Sequence, residues 1–147
     1  MMSFKTTLRG LSLFLGLVAA APALAALPPV TVYKDARCGC CAAWARHLSD
    51  AGFDVSTRDV TDLPARKRAL GVPAKLGSCH TAEVGGYVVE GHVPAAAIKR
   101  LLQEQPAAAG LAVAGMPIGS PGMEGPNPEP YDVHLFGGDG TRVFARY

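Results

Sequence analysis

The sequence has little of what nucleic-acid surfaces are built from. Aromatic residues make up 7 % of the chain and charged residues 18 %, and its basic residues never gather beyond the short string ARKR at 65–68. Without a basic stripe and interleaved aromatics, the electrostatic footprint of a nucleic-acid binder is missing. Long apolar runs are scarce as well. LSLFLGLVAA near the N-terminus is short for a membrane span, Ser12 and Pro22 interrupt the apolar stretch, and no later segment is apolar enough to cross a bilayer. Preceded by Lys5 and Arg9 and followed by Ala23-Leu24-Ala25, it has the layout of a secretory signal peptide covering 1–25. The expected mature domain is 26–147. No cysteine lies near the cleavage point to carry a lipid. Loss of Lys5 and Arg9 leaves twelve basic residues against twelve acidic ones, a formally neutral protein.

About 120 residues suffice for one domain with one core. PVTVYKD is a β-branched and aromatic run that leads into a cysteine turn, and CAAWARHLSDAG has helical spacing, with Cys41, Trp44, Ala45 and Leu48 on one face and Gly52 at its end. FDVSTRDV alternates as a strand. LPARKRAL is a short helix closed by Gly71 and Pro73, with ARKR as its solvated face. CHTAEVGGYVVEGH forms two strands around Gly-Gly, and PAAAIKRLLQEQ is a helix with Pro94 at its first position. GLAVAGMPIGSPGMEGPNPEP is a long Gly/Pro-rich loop, and YDVHLFGGDGTRVFARY is a hairpin. The expected fold class is α/β: a thioredoxin-like core (βαβ, then α, β-hairpin, α) with a Gly/Pro/Met-rich loop and a C-terminal β-hairpin. On such a fold, Cys79-His80 and Gly91-His92 approach the end of the sheet that carries the cysteine turn.

Cysteine is also sparse, four residues in all, but three of them share one turn, ARCGCCAAW. In an exported domain, four cysteines would by default form two structural disulfides. The spacing argues otherwise. Cys40 and Cys41 are adjacent, and Cys38 to Cys40 is too tight for ordinary disulfide geometry. Only Cys38 with Cys41, or one of the three with Cys79, makes a reasonable bond, so at least one thiol is left over. Position at a helix N-terminus favours thiolates, which both attack disulfides and bind metals. Cys40 discriminates between these two uses, because a third thiol would misdirect disulfide exchange but would serve a soft metal as a ligand. On an ideal helix Cys40 lies about 200° around from Cys38, so convergence requires 38–40 to stay in the turn before the helix.

The ligand inventory selects the metal. Cys38, Cys40, Cys41 and Cys79 offer soft thiolates, and the only two methionines after the signal segment, Met116 and Met123, both sit in the Gly/Pro loop. Thiolate with thioether points to Cu(I) before zinc, and sulfurs this crowded suit bridging between several Cu(I) ions. Each candidate has a plainer reading. Cys79 would otherwise be a small buried hydrophobe, Met116 and Met123 packing for the loop, and Trp44 core. His80 and His92 rank together below Cys79; His47 is expected at the surface and His134 in a structural position.

The strings YKDARCGCCAAWARHL, GVPAKLGSCHTAEVGGYVVEGHVPAAAIKRLL and GMPIGSPGME resemble the CopG family of exported copper-resistance proteins over roughly residues 30 to 147. That resemblance implies a thioredoxin-like domain of the bacterial periplasm that binds Cu(I), with copper redox chemistry and other periplasmic copper-handling proteins as partners. Cys38, Cys40 and Cys41 match its metal-binding turn, and Cys79, Met116 and Met123 occupy its other motifs. Thioredoxins proper carry a cis-proline where this chain has Gly77-Ser78. Two rival functions remain: a periplasmic thiol-disulfide oxidoreductase using Cys38 and Cys41, and a disulfide-stapled scaffold whose loop binds a protein.

Overall fold

The structure is a computed structural model that describes residues 26–147; the signal-peptide expectation at 1–25 lies outside the described residues. The chain runs β1 (Val30–Lys34), α1 (Gly39–Asp50), β2 (Val55–Asp59), α2 (Leu63–Ala69), a short 3-10 turn (Ala74–Leu76), β3 (Thr81–Val84), β4 (Tyr87–Glu90), α3 (Ala95–Glu104), β5 (Gly110–Ala112), β6 (Asp132–Gly137) and β7 (Gly140–Arg146). The strands form a seven-stranded sheet in the order β2-β1-β3-β4-β5-β6-β7. β1 pairs parallel with β2, and β4 with β5; the other neighbours are antiparallel. The first four strands, with α1, α2 and α3 between and after them, have the order and directions expected of a thioredoxin-like core.

The sheet is held chiefly on one face. Trp44 and Leu48 of α1 and Ile98 and Leu101 of α3 are fully buried against Val30, Val32, Ala82, Val84 and Val89. Each of these valine, leucine and isoleucine side chains contributes about 1.5–3 kcal/mol through removal from water. A smaller cluster of Val72, Leu76, Val88, Ala112 and Phe136 covers part of the other face.

Several local expectations need correcting. The apolar opening of the long loop, Gly110-Leu111-Ala112, is a strand buried along its length; three residues are too few for periodicity to reveal one. β2 alternates in sequence but is an edge strand, exposed after Val55. Pro94 precedes the first helical position as the N-cap, extended at φ −61°, ψ 142°, and its carbonyl takes the first helical bonds from Ala97 and Ile98. Lacking a capping side chain of its own, α3 is capped by His47, whose Nε2 accepts from the Ala95 N–H at 3.1 Å. His47 therefore joins α1 to α3 instead of lying free on the surface.

The ARKR face of α2 is not simply solvated. The Arg66 guanidinium lies 4.0 Å from the centroid of the Tyr33 ring and pairs with Glu83, and Lys67 reaches in to Glu90. No residue of α2 is itself buried, so the helix attaches to the sheet largely through these long side chains. No helix among the described residues is long and apolar enough to cross a membrane.

Candidate metal centre

Strand directions explain why the sulfurs meet. Antiparallel register sets Tyr33 of β1 beside Thr81 of β3 and Thr81 beside Glu90 of β4, while Glu90 lies beside Ala112 of the parallel β5. The end of β1, the start of β3 and the ends of β4 and β5 therefore share one edge of the sheet. From that edge emerge the cysteine turn, Cys79-His80, Gly91-His92 and the methionine-bearing loop.

Cys38 is the N-cap of α1, extended at φ −75° and ψ 95°, with no side-chain capping bond. Helix α1 begins at Gly39, so Cys40 and Cys41 lie within its first turn; the requirement that Cys40 precede the helix is overturned. Convergence survives because Cys38 itself is not helical and Cys79 closes the gap. The Cys40 Sγ is 3.5 Å from that of Cys38 and 3.6 Å from that of Cys79, which is also 3.6 Å from the Cys41 Sγ. Cys38 and Cys41 are joined as a disulfide, while Cys40 and Cys79 are free thiols. The four sulfurs lie within 4.8 Å of one another. Unbonded amides of the first helical turn face this end of α1, an environment that favours thiolate and anionic ligands.

A second group shares Cys79 with the two histidines, whose nearest ring nitrogens also fall within 4.8 Å of the sulfur and each other. The His92 Nε2 is 3.1 Å from the Cys79 Sγ, and its Nδ1 is 2.8 Å from the Pro121 carbonyl. A carbonyl only accepts, so Nδ1 carries the proton and Nε2 presents its lone pair to the site. Carbonyl-oriented imidazoles of this kind are usual beside metals. The His80 Nδ1 lies 3.4 Å from the same sulfur, and its Nε2 is buried without a partner. Its ring stands 4.4 Å from that of Trp44 and 4.9 Å from that of His92. Trp44 thus has a role beyond the core expectation: it walls the site while its Nε1 donates to the Val93 carbonyl at 2.8 Å.

Burial, followed by the neighbouring His92, pushes His80 down to about 3, and burial also lowers His92. Both rings are therefore neutral, as ligands must be. Burial, reinforced by Cys40, pushes the Cys79 thiol up to about 12, so without metal it stays protonated. The low folded value of His80 has a consequence for stability. Below the unfolded value of about 6.5, an unfolded chain takes up a proton that the folded ring refuses, so stability falls as pH drops from about 6.5 towards 3. Metal-free protein is expected to lose about 2–3 kcal/mol from this group between pH 7.5 and 4.5. Denaturant melts at both pH values check this, and His80→Gln should reduce the difference.

The Gly/Pro loop descends on the turn. A Cβ on Gly122, which has φ +85°, would lie 2.8 Å from both the Cys40 carbonyl oxygen and the Trp44 nitrogen, so only glycine allows this approach. Met123 follows immediately and is half-buried; Met116 is exposed. His134 lies on β6 opposite Val143. The site brings together Cys38, Cys40, Cys41, Cys79, His80 and His92, with Met116 and Met123 on the loop above. Sequence reasoning missed Glu90, Lys67 and Ser78 beneath Cys79, since nothing in their spacing links them.

The donor chemistry fits a soft cation: four sulfurs from two chain segments, two neutral imidazoles, and no carboxylate in either ligand group. An α/β protein with such a cluster at the end of its sheet belongs to the metal-binding class. Residues 76–123 match the family described as "Protein of unknown function, DUF411", and no curated protein matches the chain. Two solved structures of copper resistance protein CopG, forms 1 and 2, are similar at 45 % and 44 % identity, each with a TM-score of 0.77, and each match covers 82 % of this chain and 98 % of that one. The chain belongs to the CopG family of copper-resistance proteins.

Proposed function

We propose that this is a periplasmic protein of copper resistance, exported by a signal peptide at 1–25, whose mature domain at 26–147 holds Cu(I) on Cys38, Cys40, Cys41 and Cys79. One observation carries the reading: four sulfurs from two distant chain segments lie within mutual ligand distance at a helix N-terminus. Soft, crowded thiolates favour Cu(I) over harder ions and, by bridging, favour more than one ion. His80 and His92 are the nitrogen donors in reach, and Met116 and Met123 supply thioethers from a loop that limits access by water and oxidants. While the Cys38–Cys41 bond is closed, two of the four sulfurs are not free to bind copper. A dithiol reductant, itself closing to a disulfide, supplies the two electrons and two protons that reopen it, and the four thiols then exchange protons for metal.

The same dithiol supports copper redox chemistry. Closure of the Cys38–Cys41 bond releases two electrons and two protons, enough to reduce two Cu(II) to two Cu(I). The test of the binding reading is anaerobic titration of fully reduced protein with Cu(I) against a chromophoric chelator. Uptake of at least one equivalent is expected, and no uptake would overturn it.

The Cys38–Cys41 disulfide also favours a second reading, a thiol-disulfide oxidoreductase. Insulin reduction that is abolished by Cys41→Ser and unaffected by Cys40→Ser would establish that alternative.

A further inference from the structure

Beneath the sulfur cluster lies a buried ion pair that belongs to neither ligand group. Glu90 is fully buried at the end of β4, and its Oε1 receives both the Lys67 ammonium of α2 and the Ser78 N–H, the latter at 2.6 Å. Its other oxygen, Oε2, is buried with no partner. Ser78 immediately precedes Cys79. The Ser78 Oγ donates to the Gly115 carbonyl, and the Gly115 N–H donates back to the Gly77 carbonyl at 3.1 Å. Gly91, at φ +70°, leaves room for this packing, because a Cβ there would lie 2.6 Å from the Ser78 side chain and from the Val113 carbonyl oxygen. The strap before Cys79 is thus tied to the end of β4 through the Glu90 carboxylate at Ser78, and to the root of the methionine-bearing loop through Gly115.

A buried ion pair is a poor source of stability, since its desolvation cost is often as large as the attraction it regains. Its position indicates what else it does. We propose that Glu90 is a positioning residue for Cys79: it fixes the 77–79 strap so that the Cys79 sulfur closes the group formed by Cys40 and Cys41. This rests on the Cu(I)-binding reading for its functional meaning, but the placement of Cys79 can be measured without metal.

Two double variants separate the anchor from the charge. Glu90→Gln with Lys67→Met keeps a carbonyl acceptor for the Ser78 N–H, whereas Glu90→Leu with Lys67→Met removes it; neither leaves a charge unpaired. Thermal unfolding of the metal-free proteins controls for folding. In reduced, metal-free protein, alkylation of Cys79, followed by peptide mass analysis, is expected to accelerate several-fold in the leucine pair and to stay near wild type in the glutamine pair. Cu(I) affinity should fall about 10-fold in the leucine pair, the loss typical when the support of a metal ligand is removed. That loss should vanish in a Cys79→Ser background.

Equal alkylation rates in the two pairs would overturn the proposal, as would an affinity loss that persists without Cys79. Should the leucine pair fail to fold, Glu90→Met with Lys67→Met, which also removes the acceptor but keeps the length of the side chain, is expected to accelerate alkylation several-fold over the glutamine pair, and no rise would overturn the proposal. If wild-type protein takes up no Cu(I), the functional reading fails, while the alkylation comparison still decides whether Glu90 places Cys79.

Discussion

Replacing Cys38, Cys40 and Cys41 together by serine is expected to abolish Cu(I) binding while leaving the fold intact. Three of the four sulfurs within ligand distance come from this turn, and serine hydroxyls are hard, neutral donors that a soft monovalent cation rejects. Loss of affinity should be on the order of 1000-fold or more, equivalent to at least about 4 kcal/mol. Structural damage should be smaller. The Cys38 side chain makes no capping bond, and serine is a preferred residue at an N-cap. Cys41 is buried, so a hydroxyl there costs about 1–3 kcal/mol unless it bonds to the Cys79 carbonyl, whose oxygen lies 3.7 Å from the Cys41 sulfur. Circular dichroism and thermal melts beside chelator competition, all against reduced wild type, distinguish loss of ligands from loss of fold. Retained copper binding in a folded triple variant would remove the cysteine turn from the account.

Oxidation should act almost as strongly. With Cys38 and Cys41 joined, two of the four thiols no longer titrate, and Cys40 and Cys79 remain as the only free sulfhydryls of the cluster. Metal-free protein oxidised to this bond, verified by a mass lower by two hydrogens, is expected to bind Cu(I) at least about 100-fold more weakly than the reduced form, since losing two direct ligands should cost no less than the roughly 10–100-fold typical of losing one outer-shell partner. Dithiol reductant should restore binding fully. If oxidised and reduced proteins bind alike, Cys38 and Cys41 are not ligands, and copper rests on Cys40, Cys79 and the histidines.

Much of this was legible before any coordinates. The period-2 run of β1 and the helical face Cys41-Trp44-Ala45-Leu48 declare themselves, because a strand and a helix that cover one core must repeat their apolar residues. Placed on a thioredoxin-like fold by analogy, the order of elements led to the expectation that Cys79 and His92 meet the turn, as the register of β1, β3 and β4 brings about. What escaped lay at short range or long range. β5 has only three residues, too few to show a period. The pairing of Lys67 with Glu90, and the capping of α3 by His47, join residues 23 and 48 positions apart. Only tertiary packing makes such pairs neighbours. The start of α1 at Gly39 was hidden for a different reason: the chain can leave the helix at one residue, Cys38, and still bring its sulfur to that of Cys40.

The most direct measurement is a crystal structure of the reduced protein grown anaerobically with Cu(I), with anomalous scattering at the copper edge. The account predicts copper peaks bounded by the sulfurs of Cys38, Cys40, Cys41 and Cys79. Well-occupied copper elsewhere, with these sulfurs bare, would contradict it.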